Sequence, residues 1–177
     1  MHKAPWIKVS TLFLAVIIFD RITKNLVVSK IAYRELIRIY GNFFRLTYVL
    51  NPGGAFGTRL GGNYFYIGAA LVAAIILVFW LFRHKHSTLG LAGIALMLGG
   101  AVGNIWDRCT IGKVIDFLDF GVNNTRWATF NIADSAITIG ICFLVLQEII
   151  EMFGSRNEAV IKKTADEEIV ENTGCGI

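Results

Sequence analysis

Charge is missing from this chain in long blocks, and that absence constrains the fold more than any other feature. Leu60 to Phe82 holds no charged residue, and neither does Ser87 to Trp106. About 20 such residues cross a bilayer core as one helix, the form that satisfies every backbone polar group internally. Two further blocks keep their charges near the edges. Trp6 to Val28 carries Lys8 near its start and Asp20, Arg21 and Lys24 toward its far end; Ile132 to Phe153 carries Asp134 at its start and Glu148 and Glu151 near its end. Composition agrees, with 55% hydrophobic and 17% charged residues and a mean hydropathy of +0.59, against about 25% charged for a soluble domain. The expectation is an α-helical integral membrane protein with four transmembrane helices, at about 6–28, 64–82, 88–106 and 132–153 within a single domain 1–154. The polar remainder, 155–177, reads as a flexible tail.

The first block resembles a secretory signal peptide only superficially. Ionisable residues in its outer third and the lack of a small-x-small cleavage site predict a permanent span. Four spans put both termini on one side of the membrane. The terminal side would carry seven Lys/Arg and the opposite side ten, but over much longer segments, so charge bias leaves the orientation open. The three cysteines, Cys109, Cys142 and Cys175, have no metal or disulfide spacing, and no HExxH-like ligand cluster occurs.

Two segments on the side away from the termini, about 30–62 and 107–131, are too long for simple turns. Alternating patterns around Ile37–Tyr40 and Phe44–Leu50, broken at Gly41-Asn42, predict an antiparallel hairpin whose apolar side chains rest on the membrane surface. "GKVIDFLDFG" is a further strand of the same small sheet, and "NPGGAFG" is a turn whose adjacent glycines suit positive φ or close approach. Gly99 and Gly103, four apart, with Ala136 and Gly140 on the last span, predict a close approach of the third and fourth spans.

Polar residues gather where the spans meet these two segments. Asp20 and Lys24 lie one helical turn apart; Asn51 sits in the glycine turn; Asn104, Asp107 and Arg108 close the third span; Asn131 and Asp134 open the fourth. Arg21 and Lys30 are expected to snorkel or cap. Asn131 and Asp134 also form a helix-start pattern, so Asp134 has a purely structural reading as a capping acid. A set drawn from every far-side end is better read as a site, because ionisable groups at that depth are costly unless paired or facing a wet cavity. Two adjacent carboxylates share one proton, so one can activate water while the other donates a hydrogen bond. Asp134 suits the ionised role. Its partner comes from the preceding loop, Asp116 or Asp119, which leave opposite faces of an extended segment. Residue chemistry does not choose between them. A proton-coupled transporter and a Ser–Lys protease using Ser29 or Ser135 with Lys24 fit less well, since there is no internal repeat and Ser135 points about 100° away from Asp134.

The blocks "DRITK" (Asp20–Lys24), "NPGGAFG" (Asn51–Gly57), "GNIWDRCTIGKVIDF" (Gly103–Phe117) and "FNIADSAI" (Phe130–Ile137) resemble, in order, the motifs of the lipoprotein signal peptidases (signal peptidase II). The resemblance implies four transmembrane helices with a small extracytoplasmic β-sheet insert, and an aspartyl dyad of Asp116 and Asp134. It implies that Asp20, Lys24, Asn51, Gly53, Asn104, Arg108, Asn131 and Ala133 shape or line the site. Asp119 would then be an exposed loop carboxylate. The implied activity is removal of signal peptides from diacylglyceryl-modified prolipoproteins, just before the lipidated cysteine. No metal or organic cofactor and no nucleic-acid partner are expected. The implied partners are lipidated prolipoproteins, the lipid bilayer and globomycin-type inhibitors. The implied location is the bacterial cytoplasmic (inner) membrane, termini cytoplasmic and active face outward.

Overall fold

The computed structural model describes residues 4–54, 61–83, 87–122 and 125–173. The elements run α1 (Ala4–Lys30), β1 (Leu36–Tyr40), β2 (Phe44–Asn51), α2 (Asn63–Arg83), α3 (Thr88–Ile111), β3 (Val114–Val122), β4 (Thr125–Arg126) and α4 (Ile132–Thr173). Among the described residues, three helical stretches are long and apolar enough to cross a membrane: Asn63–Arg83, Thr88–Ile111 and Ile132–Gly154. The expectation was four. α1 is long enough at 27 residues, but Asp20, Arg21 and Lys24 interrupt its apolar run, so composition alone does not place it among the spans. At the other end, α4 continues as helix to Thr173, where the sequence reading had a flexible tail. Between Gly154 and Gly174 there is no glycine or proline, and Glu, Lys and Ala are good helix formers.

α3 is the centre of the helical layer, with α1 and α4 packed closely on it and α2 alongside. Ser87 starts it by accepting a hydrogen bond from Gly90 N at 3.2 Å, and Gly112 at φ +73° ends it in the left-handed conformation glycine tolerates. Small residues allow the close packing, which in lipid is a main source of helix association. A Cβ on Gly100 would lie 2.4 Å from Ala133 O of α4, and one on Gly93 would lie 2.9 Å from Gly140 O. The expected close approach of α3 and α4 is therefore present, but Gly99 serves a different contact. It faces α1, where its Cβ would lie 2.9 Å from Val16 Cβ. α2 buries none of its residues and presents Val72, Ile75, Ile76 and Phe79 outward, as a helix facing lipid does.

The sheet is antiparallel, in the order β1-β2-β3-β4. Gly41, at φ +51°, turns the chain between β1 and β2 where the hairpin was expected. A bulge shifts the β2–β3 register between Leu46 and Val49, so that Leu46 faces Leu118 and Val49 faces Asp116. The short strand β4 was not anticipated; two residues carry no periodicity. Val27 of α1 and Ile31 just past its end pack with Ile115 and Phe117 of β3, flanked by Ile37, Leu46, Tyr48, Leu50, Leu118 and Ile132. This cluster, and not contact with a membrane surface alone, anchors the sheet on the end of α1 and beside the start of α4.

Candidate active site

Asn131 begins α4 and does two jobs with its side chain. Its Oδ1 accepts from Asp134 N at 2.9 Å, while Asp134 Oδ2 accepts from Asn131 N at 3.3 Å, a reciprocal cap. The capping role read from the sequence is real. It uses only one oxygen of Asp134; Oδ1 accepts from Asn104 Nδ2 at 2.7 Å. Asn131 Nδ2 in turn donates to Asp116 Oδ1 at 2.7 Å and to Asn104 Oδ1 at 3.2 Å. One asparagine thus contacts both carboxylates.

Asp116 is buried on β3, and its Oδ2 accepts from Asn51 Nδ2 at 3.0 Å. Asn51 ends β2 and holds its own turn, accepting from Gly53 N at 2.8 Å. Burial, followed by the charge of nearby Asp134, pushes the Asp116 carboxyl up to about 7, against the pull of the hydrogen bonds from Asn51 and Asn131.

Behind the carboxylates lies a buried ionic cluster. Lys24 Nζ is 2.8 Å from Asp20 Oδ2 and 2.8 Å from Asp107 Oδ2, with all three side chains fully buried. Lys24 also donates to Asn104 Oδ1 at 3.2 Å. Asp20 Oδ1 accepts from Ala133 N at 3.0 Å, so α1 caps the first turn of α4. Gly103 leaves room for this, since a Cβ there would lie 2.6 Å from Asp20 Oδ2. On the other side, Arg108 Nη2 donates to Gly53 O at 2.8 Å, and its guanidinium lies 5.4 Å from the centre of the Tyr66 ring on α2.

All ten site positions named from the sequence are brought into one connected region. Two neighbours were missed. Asp107, gathered with the far-side polar set but given no role of its own, is fully buried, and Arg21 is bound to it where a snorkelling residue was expected. The i,i+4 spacing of Asp20 and Lys24 on α1 gave no sign that α3 would supply a further partner for Arg21 and Lys24. Asp119 is also a correction. It is 5% exposed, and Arg45 and Arg126 each approach it to 2.7 Å. Three positions along β3 from Asp116, it points away from the site, as alternation requires.

A cavity of about 770 Å³ reaches from this cluster between the helices. Asn51, Asn104, Arg108, Asp116 and Asp134 line its polar end. Ala73 and Leu77 of α2, Met97 of α3 and Ile141 of α4 line an apolar remainder. The volume is that of a site for a ligand of several hundred daltons or a short peptide stretch. Among the described residues no group of three or more His, Cys, Asp and Glu side chains is placed to hold a metal ion.

Comparison with known proteins places this architecture. Residues 12–150 match the Peptidase_A8 family, signal peptidase (SPase) II. The chain is 41% identical over 157 residues to a lipoprotein signal peptidase of Burkholderia thailandensis, covering 86% of this chain and 92% of that protein. A lipoprotein signal peptidase of Paraburkholderia phytofirmans is also 41% identical, with 86% and 89% covered. Two bacterial membrane enzymes solved by the in meso method are similar in structure. One, at 2.3 Å resolution, gives a TM-score of 0.76 at 27% identity over 82% of this chain and 89% of that one. The other, at 1.9 Å, gives 0.72 at 28% identity over 78% and 90%. With the match running through every element that builds the site, the chain belongs to the signal peptidase II family of membrane proteases.

Proposed function

We propose that this protein is a membrane aspartyl endopeptidase that removes signal peptides from diacylglyceryl-modified prolipoproteins, cutting just before the lipidated cysteine. The observation that carries the reading is Asn131 bridging Asp116 and Asp134 at the polar end of an otherwise apolar cavity. Asp134 is the ionised member, supported by the helix N-terminus and the Asn104 amide. Asp116 holds the shared proton. Asp134 takes a proton from a water whose oxygen attacks the scissile carbonyl carbon, while Asp116 hydrogen-bonds the carbonyl oxygen as it becomes tetrahedral. Proton transfer to the leaving nitrogen then lets the C–N bond break, and the dyad returns to a single shared proton. Arg108 and Asn51 orient the substrate backbone at the mouth of the glycine turn. The apolar cavity accommodates the signal peptide and the diacylglyceryl group.

The buried ionic cluster supports α1 as the fourth span. Its Asp20 and Lys24 face the protein and neutralise each other, leaving Leu14, Ile18, Ile22 and Leu26 to face lipid. We place the termini in the cytoplasm and the sheet and dyad at the outer face of the bacterial inner membrane. The test is incubation of purified protein with a lipidated prolipoprotein, with mass spectrometry of the products. A new N-terminal lipidated cysteine is expected, and globomycin should block its formation. Release of no peptide, or cleavage at another bond, would overturn the reading.

A further inference from the structure

Asp107 takes no part in the steps above, yet its carboxylate touches both halves of the site. Oδ2 accepts from Lys24 Nζ at 2.8 Å and from the backbone N of Ile115 at 3.2 Å, and Oδ1 binds Arg21. Ile115 immediately precedes Asp116 on β3. Lys24 leads the other way, donating to Asn104 Oδ1 and so leaving the Asn104 amide nitrogen facing Asp134. The same carboxylate is therefore one residue from Asp116 and three polar contacts from Asp134, through Lys24 and Asn104. We propose that Asp107 is a positioning residue, whose three-way contact sets the placement of Asp116 relative to Asp134.

The chemistry requires a carboxylate here. Asp107 accepts three donors, two of them on one oxygen, and an asparagine would turn its amide nitrogen toward a cation or toward the Ile115 N–H. The alternative is an ordinary buried ion pair that holds the helices and nothing else. The charged groups that act on it are Asp20, Arg21 and Lys24 on α1 and Arg108 on α3; Asp116 on β3 and Asp134 on α4 face the same Lys24 and Arg108, with Tyr66 of α2 beyond Arg108. Removing the Asp107 charge leaves Lys24 with less compensating negative charge, so its field favours ionised Asp116.

The inference rests on the dyad reading, and the test separates the two. Asp107→Asn and Asp119→Asn are purified and compared with the unmodified protein on one lipidated prolipoprotein, measuring kcat, KM, the pH profile and thermal unfolding. Both variants lose a buried ionic contact, so both should unfold at lower temperature. Asp107→Asn alone should lose about 100-fold or more in kcat, with KM within threefold and the alkaline limb of the profile moved to lower pH. If Asp107→Asn matches Asp119→Asn, with kcat and pH profile unchanged, the proposal is overturned. If Asp107→Asn is not recovered folded, Asp107→Glu keeps the charge that Lys24 and Arg21 need but displaces it from the Ile115 N–H. A folded Asp107→Glu with kcat lowered tenfold or more at unchanged KM supports the positioning role, and one with near-normal kcat overturns it. An unmodified protein that fails to cleave would overturn the proposed function together with this inference; an active one with an unaffected Asp107→Asn overturns this inference alone.

Discussion

Two aspartates on β3, three residues apart, are both buried and both held on both oxygens, yet by donors of opposite kinds. Asp119 is gripped by two guanidinium groups, Arg45 from β2 and Arg126 from β4, in charge-assisted pairs. Arg126 also reaches the backbone carbonyls of Asp119 and Asn42, closing the sheet's outer corner. Asp116 has only neutral amides, from Asn51 and Asn131, and a second carboxylate nearby. Two arginines complete the ionic requirements of a carboxylate and leave it inert. Two amides fix its position while leaving its proton negotiable, and the cavity leaves it a reaction partner. The kind of donor separates Asp119 from the proposed catalytic Asp116 more clearly than burial does.

The comparison is tested most severely by replacing the proposed dyad. Asp116→Asn and Asp134→Asn should each insert and fold, yet lose at least about 10³-fold in kcat, since general acid–base assistance contributes roughly 10²–10⁴. Retention of a tenth of normal turnover in the Asp134 variant would return that residue to its capping role alone. Initial rates on one lipidated substrate decide the point.

A change of pH tests the proton itself. In the proposed mechanism Asp116 must be neutral to donate, so activity should fall as pH rises through about 7, approaching tenfold per unit beyond it. Because the carboxyl is raised above its usual value, the folded state binds this proton more tightly than the unfolded chain does. Its contribution to stability is therefore greatest below the ordinary carboxylate range and is lost as pH climbs to about 7. Asp116→Asn should abolish that pH dependence of unfolding, which thermal melts across pH 5 to 8 would detect.

For Asp119 the effect should move from rate to stability. Asp119→Asn is expected to cost about 2 kcal/mol, the scale of hydrogen bonds to charged groups, with kcat per folded molecule within a few-fold of normal. The exposed-loop expectation called for almost no change in stability; the arginine clamp is the reason to expect one. Essential Asp119 with dispensable Asp116 would reverse the comparison. The smallest effect should come from strong chelators. With amides alone as the donors around Asp116, cleavage should proceed unchanged, and a loss restored by added zinc would require a different chemistry.

Much of this protein was legible as sequence because it is local. Charge-free blocks mark α2 and α3 within a few residues, alternation marks the hairpin, and Asn131 with Asp134 marks the start of α4 through contacts three residues apart. The resemblance named both carboxylates; alternation showed only that Asp116 and Asp119 part company. Which of them faces α4 depends on what lies on each side of β3, and that is settled by partners far along the chain. Asn51 is 65 residues from Asp116, and Arg45 is 74 from Asp119. The same holds for the ionic cluster. Lys24 and Asn104 are 80 residues apart, and Asp20 reaches across 113 to cap α4 at Ala133. Residue type and spacing determine helices, strands and caps, whose hydrogen bonds close within a turn. Whether a buried charge meets a cation, an amide or a cavity is decided only when α1, α3 and the sheet pack together, because its cost depends on neighbours the local sequence does not contain.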